Sequence, residues 1–492
     1  KNHQIQVLKL AITSRLLLLA LILLSRTLIN PYDTSASINT YCLTDSQQQQ
    51  ESDSIRWPNL SAKIETSVVW DSVYFVRIAQ CGYEYEQSYA FLPLLPITIS
   101  LLSRTLFAPF VSLIGFRAVV ALSAFFLNNL AFLFAAVYFY RLSIIILKDP
   151  EAALRASTLF CFNPASIFYS SIYSDALYAL FSIGGLYHLA SGANNIAVLW
   201  FALSGCARSN GVLNAGYFCF QAMHQAYDAV ILKRRVYIAL QVLVTVALRC
   251  ICIFVPFIAF QAYGYYNICH GHFPDEARPW CKAKIPLLYN FIQSHYWGVG
   301  FLRYFQFKQL PNFLLASPIL SLAFFSIAYY VKSRSEIFLS LAFKASIEEK
   351  KSAAVFFSLE AVPRADNARV SEKSSSKTQE KHSIRQRKHK IKDLDDASLA
   401  VEFESSIKSG FLSASVLPFI LHLGFMAATA LFVMHVQVAT RFLSSSPPLY
   451  WFASYLMAIP GKGRRWGYMI WAYSVAYILL GSLLFSNFYP FT

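Results

Sequence analysis

Long apolar segments alternate with polar connections along the whole chain, and this alternation is the main structural signal in the sequence. A helix needs about 20 apolar residues to cross a bilayer, and lipid forces the backbone groups to bond within the helix. The pattern predicts an all-α polytopic membrane protein with about eleven transmembrane helices. The apolar segments lie near 10–29, 89–107, 117–140, 153–170, 172–190, 196–220, 237–263, 313–331, 412–437, 448–460 and 467–487.

The composition supports a membrane-integral protein and argues against a nucleic-acid binder. Hydrophobic residues make up 56% of the 492 residues and charged residues only 14%, against about 45–50% and about 25% in a typical soluble domain. The net charge of +16 is spread between apolar segments and forms no basic face or stripe. We therefore expect no nucleic-acid partner.

The charges in two polar connections predict how the chain is oriented. Between Asn30 and Tyr89 there are eight acidic and three basic residues, whereas Arg364 to Lys392 contains ten basic and three acidic residues. Basic connections stay in the cytosol, so the first connection is expected in the lumen and the second in the cytosol. The basic stretch 364–396 lacks aromatic residues, and we expect it to be disordered.

These signals divide the chain into seven consecutive parts. We expect a first transmembrane helix with a cytosolic N-terminus at 1–30, a lumenal loop at 31–88, transmembrane helices two to seven at 89–263, a second lumenal loop at 264–312, a transmembrane helix at 313–331, a basic and largely disordered cytosolic loop at 332–411, and C-terminal transmembrane helices at 412–492. A cleaved signal peptide is the alternative for the first segment. Its apolar stretch exceeds the usual signal core, so we favour a retained anchor.

One connection conflicts with simple alternation. Arg141, Lys148 and Arg155 favour the cytosol, but counting the segments alternately puts 141–152 in the lumen. One of the neighbouring segments would then be re-entrant.

Cysteines fall in loops that this orientation places in an oxidising lumen, where disulfides can form. They are Cys42, Cys81, Cys269 and Cys281. Together with His270, His272 and Asp275, the last two resemble a set of metal ligands, but the spacing fits no usual zinc pattern. A disulfide between Cys269 and Cys281 is the favoured interpretation, and no metal is expected.

The first lumenal loop carries the most informative chemistry. An acid beside a tryptophan, Trp70-Asp71, precedes a stretch whose apolar positions predict an amphipathic helix over 67–78. Such a helix would lie on the membrane and raise Asp71 toward an aqueous cavity. The alternative is an interfacial aromatic belt beside an ordinary solvated aspartate.

Five groups of residues, taken in order, resemble the GPI mannosyltransferase 2 family. Asp175 stands where that family's pattern has a glutamate, and residues 364–396 have no counterpart. The groups are Trp70-Asp71 with Phe75, Gly82-Tyr83 and Phe91-Leu92-Pro93; Phe162-Asn163-Pro164-Ala165 with Tyr173-Ser174-Asp175-Ala176-Leu177; Ala207-Arg208-Ser209-Asn210-Gly211; residues 293–302 leading to Pro311-Asn312-Phe313; and Thr440-Arg441-Phe442 with Tyr450-Trp451.

The resemblance implies a C-type glycosyltransferase fold in the endoplasmic reticulum membrane with a lumenal active site. The implied reaction moves mannose from dolichyl phosphate mannose to mannosylated glucosaminyl-phosphatidylinositol, forming an alpha-1,6 linkage with inversion. Neither a metal nor another cofactor is expected. Membrane lipids are expected partners, and a small membrane accessory subunit is a further one.

The matched motifs also imply roles for individual residues. Asp71 is the expected catalytic base, with Trp70 against a sugar face and Glu84 or Glu86 as a weaker second acid. Arg208, His295 and Arg441 are expected at the phosphate, whereas Arg303 and Lys308 are better explained as residues that reach lipid headgroups. The other expected substrate contacts are Asn210, Gln293, Tyr296, Trp297 and Asp175; for Asp175 a structural salt bridge with Arg208 is an equal alternative.

Three other functions compete with this interpretation. Another dolichol-linked sugar transferase would have similar spans, but residues 295–301 and 440–442 favour the second-mannose family. A transporter of lipid-linked glycans is disfavoured because the two halves of the chain show no internal repeat. A noncatalytic assembly subunit is the third alternative.

Overall fold

The computed structural model describes residues 2–32, 55–270, 278–357 and 410–491, and every regular element in these ranges is helical. This confirms the predicted all-helical fold. The α-helices of eight or more residues are α1 (Asn2–Leu28), α2 (Pro58–Glu65), α3 (Ser72–Cys81), α4 (Leu94–Arg104), α5 (Phe116–Leu147), α6 (Pro150–Cys161), α7 (Asp175–Ala190), α8 (Asn194–Ala207), α9 (Ala215–Tyr227), α10 (Val236–Cys269), α11 (Leu288–His295), α12 (Leu310–Ser333), α13 (Leu417–Phe432), α14 (Pro447–Ala458) and α15 (Gly463–Leu484). Shorter helices include Val111–Ile114, Ser166–Ser170, Ser335–Leu339, Ile347–Ser352, Ala354–Phe357 and Ala439–Leu443.

Several of these helices are long and apolar enough to cross a bilayer, as a multi-pass membrane protein requires. Within the described ranges six segments qualify: Asn2–Leu28, Phe116–Leu147, Val236–Cys269, Phe307–Ser333, Ala414–Phe432 and Gly463–Asn487. The pair Leu94–Arg104 and Ala108–Ile114, bent by 69°, is a further candidate. The other expected spans coincide with helices α6 to α9 and α14, which have 12 to 16 residues. The count of eleven stays a prediction, and the stretch expected to be disordered, 364–396, lies outside the described residues.

Two of the predicted spans are interrupted, and each interruption has a local cause. The segment predicted over 153–170 breaks after α6, because Pro164 lacks a backbone donor and Asn163 bonds its own turn instead. The segment predicted over 196–220 is two helices, α8 and α9, separated by a 3₁₀ segment at Ser209–Asn214. There the backbone of Gly211 lies so close to Ser204 that a Cβ would overlap it.

A buried arginine of the first helix holds the break after α6 together. Arg15 is only 3% exposed and donates to the carbonyl oxygens of Cys161 (3.3 Å) and Ser166 (3.1 Å). It also donates to the hydroxyls of Ser166 (3.2 Å) and Ser170 (3.1 Å), and its guanidinium lies 3.9 Å from the centre of the Phe132 ring. A charge within a span is costly unless it is fully paired, and this network supplies the partners.

The corner after α5 lies at the same end of the helix bundle as the N-terminus. His3 Nε2 lies 3.7 Å from Glu151 Oε1, and Lys148 Nζ donates to the carbonyl oxygen of Ser352 at 2.8 Å. The charge pattern predicts a cytosolic location for both the N-terminus and residue 352. The corner therefore belongs with these segments, as its basic residues indicated.

The bent helix pair is the candidate for the re-entrant segment that the charge pattern called for. It starts from the loop that contains α3, and its far end returns to the same loop, where the backbone N–H groups of Arg56 and Trp57 donate to the carbonyl oxygens of Ser112 (3.4 Å) and Leu113 (2.8 Å). A segment with both ends on one loop has the geometry of a re-entrant hairpin. The re-entrant assignment, like the count of spans, stays a prediction.

The Arg15 network predicts a large loss of stability when its side chain is removed. Arg15→Leu leaves two buried carbonyl groups and two hydroxyls without their donor, and each such group costs about 1–3 kcal/mol. We expect the purified variant to unfold several degrees below the wild type in detergent, measured by thermal unfolding. Arg464→Leu, at an exposed position, is the matched control and should unfold like the wild type. Equal unfolding temperatures for both variants would show that the network does not stabilise the fold.

Candidate functional site

A polar cavity of about 290 Å³ forms where four separate parts of the chain meet. These are the turns before α3 and α7, the segment after α8 and the short helix Ala439–Leu443. Apolar side chains from the segments after α11 and after α13 also line it. The cavity is lined by Asp71, Phe75, Ala90, Phe91, Leu92, Tyr173, Ser174, Asp175, Ala207, Arg208, Ser209, Asn210, Tyr289, Gln293, Trp297, Val299, Met434, His435, Val438, Arg441 and Phe442.

Asp71 is held at the cavity by its backbone. Trp70 has a φ of +54°, a left-handed conformation that a bulky residue rarely adopts. The backbone N–H of Asp71 donates to the hydroxyl of Tyr173 at 3.1 Å, and α3 begins directly afterwards, at Ser72. The side chain of Asp71 is left 43% exposed. This turn presents a partly solvated carboxylate to the cavity.

The amphipathic helix predicted over 67–78 exists, with shifted bounds and a different environment. It is α3, Ser72–Cys81, and it starts late because the left-handed Trp70 cannot belong to a right-handed helix. Its apolar side, including Phe75 and Val76, is buried in the core of the protein. Because α3 is packed in this way, the core of the protein fixes the position of Asp71, which directly precedes the helix.

A buried ion pair lies at the cavity, between the start of α7 and the end of α8. Asp175, the first residue of α7, pairs with Arg208 at the end of α8, and their side chains are only 4% and 14% exposed. The guanidinium of Arg208 also lies 5.7 Å from the centre of the Tyr178 ring. Of the two alternatives for Asp175, the structure contains the salt bridge. Asp175 still lines the cavity, but its carboxylate already has a cationic partner.

Arg441 faces both aspartates of the cavity. Its Nη1 lies 3.6 Å from Asp71 Oδ2, too long for a good hydrogen bond, and its guanidinium lies 5.1 Å from the ring centres of Phe168 and Tyr173. Burial alone would lower the pKa of Arg441, but the negative charges of Asp175 and Asp71 outweigh burial and raise that pKa above its ordinary value. Arg441 is therefore a permanent cation beside the cavity.

Two buried donors at the cavity have no hydrogen-bond acceptor among the described residues. They are Nε of Arg441 and Nδ2 of Asn210. Buried polar atoms are almost always paired in folded proteins, so an unpaired donor calls for an explanation. An oxygen-rich anionic ligand in the cavity would provide the missing acceptors.

The fold brings together most of the residues that the sequence singled out. Their segments lie far apart in the chain and meet only through the tertiary packing. At the cavity lie Asp71, Asp175, Arg208, Asn210, Gln293, Trp297 and Arg441.

Other expected site residues lie outside the cavity lining. Trp70 packs against Phe488 with ring centres 5.9 Å apart, and His295 stacks on Phe291 at 4.9 Å. Their expected roles stay predictions.

The two candidates for a second acid, Glu84 and Glu86, are both engaged in contacts within the loops. Glu84 Oε2 lies 2.6 Å from Nε of Arg77. Glu86 is buried and accepts from the hydroxyl of Tyr296 and from Nε1 of Trp280, each at 2.7 Å. Neither acid lines the cavity, nor does Tyr296, and the expected roles of all three stay predictions.

Sequence reasoning did not single out three side chains of the cavity. Tyr173 positions Asp71, the hydroxyl of Tyr289 accepts from Ser209 Oγ at 2.9 Å, and the ring Nε2 of His435 lies 2.7 Å from the carbonyl oxygen of Trp297. Tyr173 belongs to a matched motif, so that motif was a usable signal. Tyr289 and His435 lie in sequence with no distinguishing pattern.

The cysteine pair that resembled metal ligands forms a disulfide. Cys269 and Cys281 are bonded, with Cα atoms 5.8 Å apart, which confirms the favoured interpretation. His272 and Asp275 lie outside the described residues. Within the described part of the chain, no group of three or more His, Cys, Asp or Glu side chains has the arrangement of a metal site.

The different burial of the two aspartates predicts different effects on stability. Asp175→Asn leaves the buried Arg208 without its partner charge, which typically costs about 3–5 kcal/mol. Asp71→Asn removes a partly solvated charge and should cost less than about 1 kcal/mol. Thermal unfolding of both variants in the same detergent tests this contrast. A larger loss for Asp71→Asn than for Asp175→Asn would contradict these assignments.

Comparisons with known proteins agree with the motifs at the cavity. The family model described as Mannosyltransferase (PIG-V) matches residues 4–492. GPI alpha-1,6-mannosyltransferase 2 of Homo sapiens is 29% identical over 412 residues, which cover 79% of this chain and 72% of that protein. GPI mannosyltransferase 2 of Drosophila melanogaster is 26% identical over 455 residues, which cover 86% of each chain. No solved structure matches this chain. The chain belongs to the PIG-V mannosyltransferase family.

Proposed function

We propose that this enzyme transfers the second mannose of the GPI anchor, in alpha-1,6 linkage, from dolichyl phosphate mannose to the intermediate that carries one mannose. The observation that carries this proposal is the juxtaposition of a partly solvated carboxylate, Asp71, with the cation Arg441 at one polar cavity. Both residues lie in motifs shared with the family. The relatives named as alpha-1,6-mannosyltransferases supply the linkage.

Asp71 is the proposed base of a single inverting displacement. The acceptor hydroxyl oxygen bonds to C1 of the mannose while its proton moves to the Asp71 carboxylate. The bond between C1 and the phosphate oxygen breaks, and the leaving dolichyl phosphate keeps the electron pair. Because the donor sugar is beta-linked, attack from the opposite side gives an alpha product. Asp175 is a poorer candidate because Arg208 already binds its carboxylate.

The developing charge on the leaving phosphate needs cations or hydrogen-bond donors. Arg441 and Asn210 have buried donors without acceptors, and we assign these donors to the phosphate. Arg208 adds a positive charge nearby, but its pairing with Asp175 holds it in place. Fixed donors of this kind lower the barrier without having to reorganise during the reaction.

An aromatic wall of the cavity suits the face of the transferred sugar. Trp297 and Phe91 line the cavity with ring centres 6.2 Å apart, in an edge-to-face arrangement. We assign to Trp297 the sugar contact that the sequence suggested for Trp70. The two rings also restrict access of water, which would otherwise compete with the acceptor hydroxyl.

The cavity is proposed to face the lumen of the endoplasmic reticulum. The disulfide Cys269–Cys281 precedes α11, which carries Gln293 of the cavity lining, and structural disulfides form in oxidising compartments. The opposite end of the bundle holds the N-terminus and Ser352, which the charge pattern assigns to the cytosol. We propose no metal or other cofactor. A small accessory membrane subunit is proposed from the family resemblance alone.

Asp71→Asn should remove most of the activity while the protein stays folded. Loss of a general base lowers turnover by about 10²- to 10⁴-fold. The measurement is mannose transfer in detergent from dolichyl phosphate mannose to a synthetic one-mannose acceptor. Glu336→Gln is the matched control, because Glu336 is exposed and lies outside the cavity, and it should stay close to the wild type. Retention of more than a tenth of the activity by Asp71→Asn would contradict its role as base.

Depletion of the protein in cells tests the position of the reaction in anchor assembly. Because the proposed acceptor carries one mannose, we expect a GPI intermediate with one mannose to accumulate. Mass spectrometry of the accumulated lipids identifies the intermediate. An accumulated intermediate with two or more mannoses would contradict the proposed acceptor, and an unchanged lipid profile would contradict the GPI pathway altogether.

A further inference from the structure

A second cavity, larger and more apolar, lies beside the site between α3, α4 and α10. Its volume is about 640 Å³, and its lining includes Ile78, Pro93, Pro96, Ile97, Leu101 and Phe260. We call it the lateral groove. Ile97 and Leu101 are 62% and 61% exposed, so the groove opens sideways from the protein and not into its core. Exposed apolar side chains of this kind suit contact with lipid hydrocarbon.

The lateral groove and the polar cavity share a wall on two elements. On α3, Phe75 lines the cavity and Ile78, one helical turn further on, lines the groove. Before α4, Leu92 lines the cavity and its neighbour Pro93 lines the groove. The two spaces are therefore adjacent.

A third contact closes the same wall from α10. Tyr289 of the cavity packs against Phe257, with ring centres 5.9 Å apart, and Pro256 lines the groove. At each of these three places, a residue that lines the cavity lies close to a residue that lines the groove. A chain leaving the cavity over this wall would enter the groove at once.

We propose that the lateral groove binds the polyprenyl chain of the sugar donor. This inference rests on the proposed function, which requires two lipid-linked substrates to meet at Asp71. In the donor, only one phosphate separates the reacting C1 carbon from the hydrocarbon. In the acceptor, the reacting mannose is separated from its lipid by glucosamine, inositol and a phosphate. An apolar groove that adjoins the cavity matches the short spacing of the donor.

The shape and composition of the groove agree with this occupant. Helix α4, of 11 residues, runs along it from Pro93 to Arg104 and has a length of about 16 Å. Arg104 lies at the far end, where its guanidinium is 5.1 Å from the centre of the Phe116 ring. Arg104, Ser100 and the hydroxyls of Tyr83 and Tyr263 are the polar groups of the lining, and the other lining residues are apolar or glycine, so the groove suits hydrocarbon. The phosphate stays with Arg441 and Asn210 in the polar cavity.

Filling the groove should weaken binding of long-chain donors selectively. Ile97→Trp and Leu101→Trp place large rings where the polyprenyl chain lies, outside the proposed catalytic machinery. Loss of buried chain contacts should raise the KM for dolichyl phosphate mannose about tenfold. The KM for citronellyl phosphate mannose, whose tail has only two isoprene units, should change less than about twofold. The KM for the one-mannose acceptor should stay unchanged.

A matched control comes from α10. Ile251 is 57% exposed and lies outside the groove lining, so Ile251→Trp should leave every KM unchanged. An equal rise in KM for the long and short donors, a rise for the acceptor, or no rise at all would overturn the groove assignment. If the tryptophan variants do not fold, Ile97→Ala tests the same point. It should lower the preference of kcat/KM for the long donor over the short one, and an unchanged preference would overturn the assignment.

The wild type separates a failed groove assignment from a failed function. If the wild type transfers mannose from dolichyl phosphate mannose and the groove variants behave like Ile251→Trp, the groove assignment fails and the proposed function stands. If the wild type does not use this donor, the proposed function fails and the groove assignment fails with it.

Discussion

The buried pair of Asp175 and Arg208 is the interaction on which the arrangement of the site depends. Both side chains are buried, and separating two buried opposite charges is costly, so the start of α7 and the end of α8 stay together. This fixes Tyr173, two residues before Asp175, and the hydroxyl of Tyr173 in turn accepts from the backbone of Asp71. One ion pair thereby positions a carboxylate that is more than a hundred residues away in sequence.

The interrupted helices also help to position the polar groups of the site. A continuous span would keep polar groups within its own backbone bonds, whereas the breaks at Pro164 and at Ser209–Asn214 release backbone and side-chain groups for tertiary contacts. Arg15 occupies the carbonyl groups freed by the first break. The second break carries Asn210, whose free amide donor faces the cavity. Such irregular backbone is tolerated at membrane depth only where protein or a polar cavity surrounds it.

The sequence predicted the all-helical class and most of the cavity's charged residues, but it predicted the local backbone geometry poorly. Apolar periodicity is strong over 20 residues, so the long helices α1, α5 and α10 were foreseeable, but it does not reveal that 153–170 and 196–220 are broken. Glu86 shows a second limit, because an acid in a loop looks solvated until its partners Trp280 and Tyr296 are placed. Only basic residues in a connection that alternate counting put in the lumen pointed to a re-entrant segment, and the bent helix pair and the contact of Lys148 with Ser352 agree with one.

The central claim is that Asp71 accepts a proton and does not bind the donor. The most direct test is the Kd of dolichyl phosphate mannose for Asp71→Asn, measured alongside turnover. Because the substitution removes a negative charge that lies 3.6 Å from Arg441, the Kd should be unchanged or lower while turnover collapses. A Kd that rises in proportion to the lost activity would contradict the claim and make Asp71 a binding residue.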